Sequence, residues 1–325
     1  MRSISFGQAT VEATAAAMRE DETVVVAGED IGWGGNFGQF NGLLKEFGPK
    51  RVLDMPISEA LILGSAVGAA VTGLRPVASL SFVEFTMGAM DEIINQAAKF
   101  RYMFGGNAET PVVIRTMYGA GLRAAAQHSQ CLYPVFTHIP GLKVVTPATP
   151  YDAKGLLIQA IRDNDPVIFC EHKSLYTLEG DVPEEAYTIP FGEANVTREG
   201  DDVTIVTLGR MLQIAHEAAD TLSKDGINCE VVDLRTTSPI DTDTIIESVE
   251  NTGRLVVLDE SNPRCSIATD VSATVSQEAF SSLKAPIKMV TAPHVPVPFA
   301  ENLEDLYIPD ANQLMEAIHS VMGKK

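Results

Sequence analysis

The stretch Asp54-Met-Pro-Ile-Ser-Glu59, continued by Ala60-Leu-Ile-Leu-Gly-Ser-Ala-Val-Gly-Ala-Ala-Val-Thr-Gly-Leu74, sets one carboxylate at the entrance to fifteen residues without a charge. Ser58 stands where a helix N-cap belongs, which puts Glu59 in the first helical turn. The small residues Gly64, Ser65, Ala66, Gly68, Ala69 and Ala70 let another helix approach closely. A carboxyl group desolvated at the edge of such a surface can give and take protons near neutral pH. The plainer reading is that Glu59 only complements the helix dipole. The run is too short and too rich in glycine for a membrane span of about 20 apolar residues.

Outward from this segment, short β-branched runs alternate with helical periods. Residues 23–27, 76–82, 111–116, 142–146 and 166–170 read as strands, and several are apolar throughout, as in parallel strands covered on both faces. Helical patterns fall at 6–19, 58–72, 89–103 and 151–162. The second half continues with strands at 203–208, 229–234, 254–259 and 287–291, helices at 211–224, 241–250 and 269–280, and a closing helix at 311–321. This alternation predicts an α/β protein of two domains with mostly parallel sheets. Lys173 to Asp202 holds glycine, proline and acid without a helical period, so the expected division is a domain at 1–185, a linker at 186–202 and a C-terminal α/β domain at 203–325.

The formal net charge of −19 argues against nucleic acid and anionic membrane surfaces as partners, since both demand clustered Lys and Arg. The N-terminus has no signal-peptide core. Cys131, Cys170, Cys229 and Cys265 are widely spaced and form no zinc or redox motif, which fits a reduced, cytoplasmic compartment. Cys131 lies near His128 and is a conceivable nucleophile, although a buried free cysteine is the commoner state.

Two motifs imitate cofactor sites. Gly32-Trp-Gly-Gly-Asn-Phe-Gly38 follows a strand, with Asp54 about twenty residues on, as in a dinucleotide fingerprint. That reading needs a helix starting on the glycines, whereas acids precede them and Asn, Gly and aromatics follow. Gly200-Asp201-Asp202 with Asn228 imitates a diphosphate–metal motif, but its acids precede a strand and read as a turn.

Taken in order, Gly28-Glu-Asp30, the Asp54–Glu59 hexapeptide, Gly73-Leu-Arg-Pro76, Asn95-Gln-Ala-Ala-Lys99, His128-Ser-Gln130, Pro140-Gly-Leu-Lys-Val-Val145, Tyr151-Asp-Ala-Lys-Gly155 and Asp233-Leu-Arg-Thr236 resemble the β subunit of thiamine-diphosphate-dependent 2-oxo acid and acetoin dehydrogenases. The likeness runs from about residue 3 to about residue 320. It implies a transketolase-like pyrimidine-binding domain followed by a transketolase C-terminal-like domain. It also implies that Glu59 hydrogen-bonds the pyrimidine ring nitrogen, that Phe85 packs on that ring, and that Ile57 and Phe82 are neighbours. His128 becomes a candidate for proton transfer or for meeting a lipoyl arm, and the other five histidines keep a structural reading.

The resemblance implies partners as well. The chain carries the pyrimidine half of a cofactor site and no diphosphate half. It therefore implies an α subunit that holds magnesium, an α2β2 heterotetramer, and a lipoyl-bearing dihydrolipoyl acyltransferase. A potassium ion held largely by main-chain carbonyls would map to Val112, Ala160, Ile161, Asp163 and Asp165. Asn262-Pro-Arg-Cys-Ser-Ile-Ala-Thr-Asp270 and Phe169-Cys-Glu-His-Lys173 resemble the acetoin branch, with pyruvate or branched-chain 2-oxo acids as the alternative. Acetoin is uncharged and requires no carboxylate-binding cation. Arg123 is the one open case: it could reach a pocket, bind phosphate or face solvent.

Overall fold

The computed structural model describes residues 2–323, which divide into two compact units. One comprises residues 2–118 and 135–191, the other residues 119–134 and 192–323. The inserted segment 119–134, which carries His128, therefore belongs with the C-terminal part of the chain. Within the span expected to be a linker, Asn195–Arg198 is a strand.

In the first unit six parallel strands lie in the order Lys143–Val145, Val167–His172, Val113–Tyr118, Arg75–Phe82, Val24–Gly28, Val52–Asp54. Val24–Gly28, Val113–Tyr118 and Val167–His172 are buried along their whole length, which is why their sequences do not alternate. Helix Phe6–Glu20 opens with a capping box between Ser5 and Gln8. Thr149 caps helix Pro150–Arg162 by accepting from the Asp152 amide, with Pro150 in the first turn. Ala13, Ala17 and Met18 of the first helix share a core with Leu157, Ala160 and Ile161 of the second.

The second unit holds a five-stranded sheet, ordered Lys288–Thr291, Leu255–Asp259, Val203–Thr207, Cys229–Asp233, Asn195–Arg198, with only the last antiparallel. Helices Met211–Lys224, Thr242–Thr252, Ile267–Glu278 and Ala311–Val321 follow the expected pattern. Helix Glu301–Tyr307 was not expected, because at seven residues it is too short to display a period. The expected helix 89–103 is instead a π-helical stretch, Glu92–Ala97, running into α-helix Ala98–Met103. Among the described residues no helix is long and apolar enough to cross a membrane.

Candidate active site

Strand Val24–Gly28 lies between Val52–Asp54 and Arg75–Phe82, so the chain leaves it to one side and returns on the other. In open parallel sheets the carboxyl ends of strands at such a reversal form the ligand crevice. The residues leaving these three strands are Glu29, the Met55–Glu59 segment and the Phe82–Phe85 turn.

Glu59 opens helix Glu59–Val71 and is half-buried. Ser58 occupies the expected N-cap position in extended backbone, but its side chain makes no cap hydrogen bond. Glu59 therefore provides the negative group at this helix start. Gly88, on the turn Val83–Ala89, sits against the carboxylate: a Cβ there would lie 3.6 Å from Glu59 Oε2. Phe82 and Phe85 meet edge to face at 5.5 Å, and Phe37 meets Phe82 in the same way at 6.1 Å. The buried Lys173 ammonium lies 5.1 Å from the Phe82 ring centre. Ile57 is 75% exposed. Glu29 binds its proton more tightly than a free glutamate, first through burial and then through the charges of Asp30 and Glu59.

The glycine segment 32–38 begins no long helix. Ile31–Trp33 is a 3-10 turn, and Gly34, Gly35 and Gly38 all have positive φ. The Gly32 amide donates to Asp54 at 3.3 Å, and Asn36 donates to Ser81 at 3.0 Å, tying the loop to the strand ends. This geometry does not form a pyrophosphate cradle. The other imitation closes on itself, since Asn228 donates to Asp202 through its amide and to Asp201 through its side chain.

His128 lies on the inserted segment, half-buried, with its backbone amide donating to Ala125. Arg123, left open by sequence, is fully engaged. Its guanidinium donates to Glu304 at 2.6 Å and Asp305 at 2.7 Å, with Glu301 at 3.5 Å, and the hydrogen bonds to Glu304 and Asp305 hold its proton more tightly still. The remaining histidines serve local structure where their bonds are visible: His172 Nδ1 accepts from the Ser174 amide, and His216 pairs with Thr197.

Four of the main-chain carbonyls expected to hold potassium already accept hydrogen bonds from the protein. The Val112 and Ala160 carbonyls accept from the amides of Val167 and Asp163. Arg75 Nη1 donates to the carbonyls of Ile161 at 3.2 Å and Asp163 at 2.9 Å. Lys143 binds both carboxylate oxygens of Asp163 and one of Asp165, which also takes Arg101 at 2.8 Å. Arg75 thus contacts two of these carbonyls, Lys143 and Arg101 contact the neighbouring carboxylates, and each carbonyl keeps a second lone pair.

Residues 2–179 match the family "Transketolase, pyrimidine binding domain", and residues 192–314 match "Transketolase, C-terminal domain". The β subunit of acetoin:2,6-dichlorophenolindophenol oxidoreductase from Cupriavidus necator is 61% identical, across 99% of this chain and 98% of that one. The chain belongs to the β subunits of the thiamine-diphosphate-dependent acetoin and 2-oxo acid dehydrogenases. The corresponding β subunit of Bacillus subtilis is 53% identical over 99% of this chain and 98% of its own length. The pyruvate dehydrogenase E1 β subunit of Rickettsia felis is 47% identical over 98% of each. A solved structure described as a split-gene transketolase, inactive β4 tetramer, superposes with a TM-score of 0.79 at 26% identity, covering 99% of both chains.

For a β subunit of this family the Glu59 surroundings fit one end of thiamine diphosphate. They offer a carboxylate for a ring nitrogen, aromatic edges, an exposed isoleucine, and a glycine that leaves the carboxylate uncovered on one side. Among the described residues no group of three acid, histidine or cysteine side chains could hold a metal ion. The sequence reading took Glu29 as part of the Gly28-Glu-Asp30 resemblance and as an acid interrupting a glycine motif, and gave it no site role. Its place directly after a fully buried strand was the available signal. Glu304 was also missed, because its partners lie about 180 residues away in sequence.

Proposed function

We propose that this chain is the β half of the first component of an acetoin dehydrogenase. Acetoin is cleaved to acetaldehyde, and the remaining two-carbon unit passes oxidatively to a lipoyl-bearing dihydrolipoyl acyltransferase. The cofactor site is shared with an α subunit in an α2β2 heterotetramer, and magnesium with the diphosphate belongs to that partner. When bound, thiamine diphosphate supplies the carbanion chemistry that opens the carbon–carbon bond. Glu59 holds the pyrimidine ring nitrogen and exchanges a proton with it. Phe85, with Phe82 and Ile57, orients the ring and excludes water. His128 serves transfer to the lipoyl group.

The choice of acetoin over a 2-oxo acid is carried by the similarity to acetoin oxidoreductase β subunits, at 61% and 53% identity against 47% for a pyruvate dehydrogenase β subunit. The test is dye reduction by the α/β complex with acetoin and pyruvate as rival substrates. A preference for acetoin of at least tenfold is expected. A preference for pyruvate overturns the substrate assignment and makes the chain a 2-oxo acid dehydrogenase subunit.

A further inference from the structure

The segment that carries His128 is built in an unfavourable backbone. Gly119, Gly121, Arg123 and Ala125 all have positive φ, at +92°, +103°, +56° and +63°. Glycine tolerates this region, but Arg and Ala are strained there and hold it only where surrounding contacts compel it. The contacts that compel it converge on one carboxylate. Glu304, 0% exposed on helix Glu301–Tyr307, accepts from the Gly121 amide at 2.8 Å, the Arg123 amide at 3.1 Å and Arg123 Nη1 at 2.6 Å. Glu260 takes the Ala120 amide at 2.7 Å, and the Gly119 amide closes the neck of the loop on the Gln130 carbonyl at 3.1 Å. The strained stretch leads directly into the Ala125 carbonyl, which receives the His128 amide at 3.3 Å.

We propose that Glu304 is a positioning residue for His128: it locks the left-handed stretch 119–125 and thereby fixes the histidine for the transfer step. This rests on the assignment of His128 to lipoyl transfer. A buried carboxylate with three charge-assisted or backbone donors is rigid. Its loss releases Arg123 and Ala125 to relax toward negative φ, which displaces His128.

The experiment compares Glu304→Gln, Glu304→Ala, His128→Ala and Glu304→Gln/His128→Ala in the α/β complex. It reads dye reduction, reductive acetylation of a lipoyl domain, melting temperature and trypsin cleavage after Arg123. Glu304→Gln keeps the shape and an acceptor oxygen but loses the charge that holds Arg123. The expected result is a loss of at least tenfold in reductive acetylation, dye reduction within about twofold of wild type, faster cleavage after Arg123, and no additional loss when His128→Ala is already present. Full additivity with His128→Ala, or equal losses in both rates, would show a general structural role and overturn the proposal. If His128→Ala leaves reductive acetylation intact, the histidine assignment itself fails. The locking role is then decided by trypsin alone, and cleavage at the wild-type rate in Glu304→Gln overturns it. If Glu304→Ala does not fold, the glutamine variant carries the comparison.

Discussion

Arg115 and Glu171 make a buried bidentate pair in the first unit, and its disruption has a magnitude the structure allows to be worked out. Nε and Nη2 of Arg115 donate to the two Glu171 oxygens at 2.6 and 2.8 Å, and both side chains are 2% exposed. Tyr176 donates to the same carboxylate, and the guanidinium lies 4.8 Å from the Phe40 ring centre. Arg115→Met leaves a buried carboxylate with Tyr176 as its main remaining donor, a loss of about 3–5 kcal/mol. For a unit of this size each kcal/mol lowers the melting temperature by about 2–4 °C, so the transition should fall by roughly 6–20 °C. Arg115→Met/Glu171→Leu removes the stranded charge and should recover most of the loss, because an apolar pair of similar volume is close to neutral. The assay is thermal unfolding followed by circular dichroism at neutral pH. A single-mutant loss under about 1 kcal/mol, or a double mutant as unstable as the single, would refute the reasoning.

Three further outcomes follow from the same geometry. Glu29 has a folded-state pKa raised above its ordinary value of 4.5, so its stability contribution is present below that pH and is lost as pH rises through the folded value. Glu29→Gln should therefore raise the melting temperature at neutral pH and show no advantage at pH values under the ordinary glutamate range; a pH-independent difference would contradict this. Because the carbonyls around Asp163 already accept protein donors, exchanging potassium for sodium at constant ionic strength should leave the melting temperature unchanged, whereas a potassium-specific rise would support a cation site there. Calorimetry on the isolated chain with thiamine diphosphate and magnesium should show little binding, and micromolar affinity would contradict a site shared with an α subunit.

The parallel sheets were legible because strands such as Val113–Tyr118 are buried on both faces and helices such as Met211–Lys224 display a clear period. Glu59 was legible because an isolated charge beside an apolar run is a local signal. What escaped was non-local or irregular. The strand Arg2–Ser5 pairs with Glu179–Val182 across most of the first unit. The π-turns at Glu92–Ala97 break the 3.6-residue period that would announce them. Glu304 gains its meaning only when the inserted segment 119–134 folds onto the second unit. The residues expected to hold potassium illustrate the converse: carbonyl ligands leave no trace in side-chain identity, and the Arg75 contacts to the Ile161 and Asp163 carbonyls appear only in three dimensions.

The most direct measurement is hydrogen–deuterium exchange at the reactive thiazolium carbon of thiamine diphosphate bound to the α/β complex, comparing wild type with Glu59→Gln. An amide in place of Glu59 keeps the helix start and the contact with Gly88 but cannot exchange the proton at the pyrimidine nitrogen. The account predicts that the substitution leaves assembly intact and slows exchange by roughly 10²–10⁴-fold, the usual worth of a positioned acid–base group. Exchange at the wild-type rate in the assembled variant would contradict the assignment of Glu59.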